Sequence, residues 1–185
     1  MAHTSSNSLP LGTNAPEFAL PDVVTGKTIS LSELKDKKAY LIMFICRHCP
    51  YVVHVQEELT RLGQDYVSRD IAIVAISSND ANRYPEDAPS KLKEMALTLK
   101  FNFPLCYDES QRVALAHQAE CTPDFFLFDA HRQLIYRGQL DGSRPSNGKK
   151  VDGADLRAAL EAVLTGGVIS PKQTPSMGCG IKWKT

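Results

Sequence analysis

Long apolar runs are missing from this 185-residue chain. Nothing approaches the roughly 20 consecutive apolar residues that a membrane-spanning helix requires, so no membrane partner is expected. Net charge is missing as well. Lysine and arginine total 21 against 21 aspartates and glutamates, and the basic clusters are short, at Lys35 to Lys38 and Lys149-Lys150. A nucleic-acid partner would need a basic face that this composition does not supply. Met1 to Gly12 is polar, without the charged start and apolar middle of a secretory signal, so the expected compartment is the cytoplasm. An even set of closely spaced cysteines is also lacking. Five (Cys46, Cys49, Cys106, Cys121, Cys179) are spread through a chain whose 43% apolar residues suffice for a buried core. A structural disulfide framework is therefore not expected, and paired thiols point instead to catalysis or metal binding.

One soluble domain over residues 1–185 is expected, with a core of about 10–165 and a tail, 166–185, that docks or stays mobile. Met1 to Pro10 is Ser/Asn/Thr-rich and reads as mobile, and a hairpin joins Pro16 to Leu20 with Thr28 to Leu31 through Thr25-Gly26. Ala39 to Ile45 and Ile71 to Ile76 are uniformly apolar and of strand length, the pattern of strands covered on both faces. Helices are predicted from Cys49 or Pro50, from Ser90, from Asp108 to about His117 with Gln111 completing a capping box, and over Ala154 to Leu164 before Gly166-Gly167. Phe103 to Cys106 reads as a short strand, Asp124 to Phe128 and Leu134 to Gly138 as a hairpin, and Asp141 to Gly153 as an exposed loop. Ligands in open α/β sheets bind beyond the carboxyl ends of strands, which places Ser77, Ser78, Asn79 and Asp80 on the rim that carries Cys46.

Chemistry concentrates at Ile45-Cys46-Arg47-His48-Cys49-Pro50, where a buried strand hands over to a helix whose Val52, Val55, Leu59, Leu62 and Tyr66 share one face. Two thiols three positions apart at such a junction read as a redox dithiol. Pro50 suits a helix start, because its missing N–H would have no partner in a first turn. Free backbone N–H groups and the positive helix end are expected to favour a Cys46 thiolate, making Cys46 the nucleophile and Cys49 the resolving thiol. Arg47 and His48 add positive charge beside Cys46 and are read as pKa-tuning residues.

The order strand, Cys-X-X-Cys, helix, strand, helices, Thr122-Pro123, hairpin, helix resembles the thioredoxin superfamily across roughly residues 10–165, and in particular bacterial redoxins of the thiol-specific-antioxidant type. The likeness rests on Cys46-Arg47-His48-Cys49-Pro50 and on Thr122-Pro123 about 75 residues downstream. It implies an α/β, thioredoxin-like fold: a central mixed sheet flanked by helices, with an N-terminal β-hairpin extension and a C-terminal tail. It also implies that Pro123 is a cis-proline facing the dithiol and that Thr122 offers backbone hydrogen bonds to an extended substrate segment. The chain departs from thioredoxins in having Arg47-His48 between the cysteines, Ile45 where a tryptophan is usual, and Tyr40 where thioredoxins bury a carboxylate. Charge beside Cys46 would make the disulfide more oxidising than thioredoxin's, above about −270 mV.

The function expected is thiol-disulfide oxidoreduction on protein disulfides through a mixed disulfide. Its partners would be protein thiols and disulfides and a reducing or oxidising protein, with no cofactor and no metal. Two alternatives share the scaffold. A thiol peroxidase would need a threonine three positions before its cysteine, where Met43 precedes Cys46 and Cys46 precedes Cys49. A copper carrier would need a third ligand, for which His48, His54, His117 and His131 offer no clear spacing; His54 and His117 read as helix-surface residues. Cys121 and Cys179 are additional redox candidates, Cys106 a core residue, and Trp183 an anchor for the tail.

Overall fold

The computed structural model describes residues 3–7 and 9–185. In chain order its elements are β1 (His3–Ser5), β2 (Ala19–Pro21), β3 (Thr28–Ser30), β4 (Ala39–Phe44), α1 (Pro50–Tyr66), β5 (Ile71–Ser77), α2 (Pro89–Thr98), β6 (Leu105–Tyr107), α3 (Arg112–His117), β7 (Cys121–Thr122), β8 (Asp124–Asp129), β9 (Leu134–Tyr136), α4 (Ala154–Thr165) and β10 (Met177–Gly180). A five-stranded sheet of order β6-β5-β4-β8-β9 forms the centre. It is mixed: β4, β5 and β6 run parallel, while β8 runs antiparallel to both β4 and β9.

The alternation of side chains along β4 divides the interior in two. Leu41, Met43 and Ile45 join one core with Leu59 and Leu62 of α1, Leu92 of α2 and Leu160 of α4. Tyr40, Ile42 and Phe44 face the other, with Ala114 of α3 and with Phe18, Leu20 and Leu31 around the β2–β3 hairpin. Every β4 residue is buried, which is why no polar position interrupts the run. Each fully buried large side chain contributes about 1.5–3 kcal/mol, so this central strand organises much of the stability.

Several sequence expectations need correction. His3–Ser5, within the segment read as mobile, forms β1 and pairs with β10; Met1, Ala2 and Ser8 lie outside the described residues. Helix α2 is capped by Ala88 and begins at Pro89, so Ser90 lies inside its first turn rather than capping the helix as expected. Gln111 does not close a capping box: its side chain donates to the carbonyls of Ser78 and Lys182 instead. His117 is fully buried among Phe18, Phe44, Phe126 and Phe128, far from the surface role expected. The loop after Leu140 is not simply exposed, since buried Asp141 accepts hydrogen bonds from the backbone N–H groups of Ser143, Asp152 and Gly153. The tail docks, as β10 in the middle of a three-stranded sheet β1-β10-β7. No helix among the described residues is long and apolar enough to cross a membrane.

Candidate active site

The carboxyl end of β4 and the amino end of α1 hold the dithiol. Past Phe44 the chain stays tied to β5, with the Ile45 N–H donating to Ile76 O at 2.9 Å. Cys49 caps α1 in extended conformation, and its carbonyl accepts from the Val52 and Val53 N–H groups, both at 3.0 Å. Between the cysteines the backbone would leave two N–H groups without partners. Asp87 supplies one: its Oδ1 accepts from Arg47 N at 2.8 Å and from His48 N at 3.3 Å. Cys46 and Cys49 are 1% and 0% exposed.

Both sulfurs meet the same residue. Cys46 Sγ lies 3.3 Å from Thr122 Oγ1, and the Cys49 thiol donates to Thr122 O at 3.1 Å. The Thr122-Pro123 peptide bond is cis. Sequence positions more than 70 apart thus converge because β8, directly after Pro123, pairs along the whole length of β4.

The electrostatics differ from the expectation. Arg47 turns outward to Glu86, 2.7 Å away, and the His48 Nδ1–H donates to Asp87 Oδ2 at 2.6 Å while its ring stacks on Tyr84. Both side chains are thereby engaged by carboxylates rather than left facing Cys46. The Cys46 thiol is pushed well above the ordinary thiol range by its interaction with Cys49, by burial and by the Asp87 charge, with the Thr122 hydroxyl working the other way. Cys49 is instead held down to about 4 by the neighbouring Cys46 thiol, by Cys179, by the Val52 N–H and by Thr122, against the cost of burial. The Thr122 carbonyl is the contact that opposes this ionisation, since it takes the Cys49 proton when that thiol is neutral. The amino end of α1 favours one negative charge on this pair, which the two sulfurs share, with Thr122 Oγ1 beside Cys46 and the Thr122 carbonyl beside Cys49.

Strand β10 lies against this site. Cys179 stands opposite Thr122 and Gly180 opposite Cys121 in an antiparallel ladder. Cys179 is buried in the same apolar cluster as Cys46 and Cys49, so four of the candidate residues, Cys46, Cys49, Thr122 and Cys179, come together beside Pro123. Cys121 does not join them. Its thiol points at Pro123 O, 3.7 Å away, and burial pushes its pKa far up. Cys106 sits in the opposite core, where burial raises it to about 12. Trp183 packs on that second core and anchors the chain end.

Cys46, His48 and Asp87 place one sulfur, nitrogen or oxygen each within 4.8 Å of one another, a three-donor set that sequence spacing concealed. Asp87 is already committed, however. Its Oδ2 takes both His48 and Asn79 (2.7 Å), and its Oδ1 takes two backbone N–H groups. A metal ion would have to displace several of these bonds, so the set fits a hydrogen-bonded scaffold better than a metal site. His117, enclosed by aromatic rings, cannot reach it. His54 is half-buried rather than solvent-facing, above a Glu58 that is itself buried and paired with Arg61 and Arg157.

Sequence reasoning missed Asp87, Tyr84 and Glu86. They lie in a two-proline loop 35 to 41 residues after the cysteines, and no motif spacing links the two stretches. The rim position of Asn79, in contrast, was legible from the strand ending at Ser77; Asn79 both supports Asp87 and receives the Lys182 N–H at 2.8 Å.

The AhpC/TSA family model matches residues 11–137. An uncharacterized conserved protein of Geobacillus kaustophilus is 52% identical, with TM-score 0.97 over 100% of this chain and 97% of that one. A hypothetical protein of Sinorhizobium meliloti is 48% identical, with TM-score 0.96 over 98% and 99%. A thiol:disulfide interchange protein of the thioredoxin family from Chlorobium tepidum is 21% identical, with TM-score 0.65 over 85% and 99%, a likeness of fold. No curated protein matches the chain significantly.

Proposed function

The chain belongs to the AhpC/TSA family, which supports thiol-based redox activity on a thioredoxin-like fold, and from that premise we propose that it is a thiol-disulfide oxidoreductase working through Cys46 and Cys49. The observation that carries this reading is the meeting of both sulfurs on Thr122, directly before the cis bond to Pro123. Two thiols converging on one residue at the mouth of a helix suit reversible disulfide formation.

The charge shared by the pair moves to Cys46, whose thiolate attacks one sulfur of a substrate disulfide, and the other substrate sulfur departs as thiolate and takes up a proton. Cys49 then loses its proton and attacks Cys46 Sγ in the mixed disulfide, forming Cys46–Cys49 and releasing the second substrate thiol. Two electrons pass from the pair to the substrate, and the reverse sequence donates the disulfide. Asp87 supplies the carboxylate near the pair that Tyr40 does not. Protein thiols and disulfides are the proposed substrates, a second redox protein resets the pair, and no cofactor enters.

Peroxide reduction is the second reading, favoured by one observation: the low-pKa Cys49 sits at a helix start, as a peroxidatic thiol would. Position 46, three before it, carries a thiol and not the threonine of a peroxide pocket. Disulfide reduction and hydrogen peroxide consumption, compared in wild type, Cys46→Ser and Cys49→Ser, separate the two. Loss of disulfide turnover in both variants with little peroxide turnover in any supports the oxidoreductase; peroxide consumption surviving in Cys46→Ser and lost in Cys49→Ser contradicts it.

A further inference from the structure

The segment opposite Thr122 in this structure is the chain's own tail. By the family resemblance an extended segment would pair with the backbone of Thr122, and β10 occupies that place in register, with Cys179 across from Thr122. Nothing about the docking is casual. Strand β1 covers the other edge of β10, pairing His3 with Cys179. Beyond the strand, Lys182 O accepts from Asp80 N and from Gln111 Nε2, Lys182 N donates to Asn79, and Lys184 N donates to Gln111 Oε1. These bonds hold the register that brings a thiol, of all side chains, to the dithiol.

We propose that Cys179 is a third redox thiol of this site, delivered by the tail as a tethered substrate, and that it exchanges with the Cys46–Cys49 disulfide to form Cys49–Cys179. The inference rests on the oxidoreductase reading above. Cys179 pairs with Thr122, whose backbone carbonyl takes the Cys49 thiol at 3.1 Å, and Cys179 acts on Cys49, whereas the groups acting on Cys46 are Cys49, Asp87 and Thr122. Cys49 is therefore the middle sulfur. In the exchange, Cys179 loses its proton and attacks Cys49 Sγ, the Cys46–Cys49 bond breaks as Cys49–Cys179 forms, and Cys46 leaves as thiolate and takes up a proton. No electrons are gained or lost overall. Burial and the adjacent Cys49 hold the Cys179 thiol up at about 12 in the reduced state, and the part of that rise due to Cys49 disappears once Cys49 is tied up in a disulfide. The product fastens the tail across the groove, so oxidation would close the site to protein substrates until the pair is reduced.

The test oxidises the full chain with glutathione disulfide, quenches it with acid, alkylates free thiols and maps disulfide-linked peptides by mass spectrometry. Wild type is expected to yield both Cys46–Cys49 and Cys49–Cys179, and Cys46→Ser to yield Cys49–Cys179 as its main internal disulfide. Cys179→Ser and Cys179→Ala should yield Cys46–Cys49 only. If Cys46→Ser gives glutathionylated Cys49 with Cys179 still free, while wild type forms Cys46–Cys49, the third-thiol proposal is overturned and the oxidoreductase reading stands. If neither Cys179 variant forms Cys46–Cys49, the oxidoreductase reading itself fails.

Discussion

Gly178 lies so close to Thr122 that a Cβ placed on it would overlap the Thr122 carbonyl oxygen. Only glycine lets the tail approach the strand before Pro123 closely enough for β10 to form. Backbone cannot yield here as a flexible side chain would, so Gly178→Ala is expected to lift β10 from the groove while leaving the central sheet intact. Cys46 and Cys49, at most 1% exposed in wild type, should then react with iodoacetamide at least tenfold faster, since protection by a docked strand scales with its opening equilibrium. The single tryptophan, Trp183, reports the same release by fluorescence; unchanged alkylation and emission would show that the tail does not guard the site.

Asp87 ties the loop between the cysteines to Asn79 and His48, and its charge is one of the causes that raise Cys46. Asp87→Asn removes that charge and some acceptor capacity. In a Cys49→Ser background, Cys46 should titrate at lower pH when Asp87 is replaced, followed by ultraviolet thiolate absorbance. Stability should fall by about 1–3 kcal/mol, the cost of leaving buried donors without their acceptor.

His117 makes a pH-dependent contribution. Burial holds its pKa down to about 4, against 6.5 for a free imidazole, and its Nε2 has no hydrogen-bond partner among the described residues. Between these values the unfolded chain binds the proton and the folded one does not, so stability contributed by this residue falls as pH drops from 6.5 towards 4 and is constant above 6.5. The full effect is about 3 kcal/mol. Asp124, raised to about 6 by burial despite Arg137, has the opposite slope: the folded state holds its proton longer than the unfolded one. The difference between wild type and His117→Phe in urea unfolding isolates the histidine. That variant should gain stability relative to wild type as pH falls from 6.5 to 4.

Glu58 joins α1 to α4. Its two oxygens accept from Arg157 Nε and Arg61 Nε, each at 2.6 Å, and it is 2% exposed. Glu58→Gln keeps the shape but removes the charge, and should cost about 1–3 kcal/mol in chemical denaturation with little change in disulfide turnover.

The central sheet was readable because strands buried on both faces leave uninterrupted apolar runs, as at Ala39 to Phe44 and Ile71 to Ile76. The dithiol was readable because Pro50 marks a helix start next to the cysteines. Side-chain contacts across long separations left no such trace. Arg47 and His48 looked like free charges in the sequence, yet Glu86 and Asp87 claim them from a loop whose prolines gave no hint of its destination. His117 and His54 looked like surface residues because a helical face is polar or apolar only on average, and tertiary packing decides each position. The tail's role depended on register: whether Cys179 or a neighbour would meet Thr122 is set by hydrogen bonds at Asn79, Asp80 and Gln111, distant in sequence.

The most direct test of the account is a redox titration of Cys179→Ser in glutathione buffers, with the state of Cys46 and Cys49 read separately by differential alkylation. The account predicts that both thiols disappear together in one two-electron transition, at a potential above thioredoxin's about −270 mV because the thiolate charge shared by the two sulfurs stabilises the reduced pair. Independent oxidation of the two thiols, or a pair that stays reduced throughout, would contradict it.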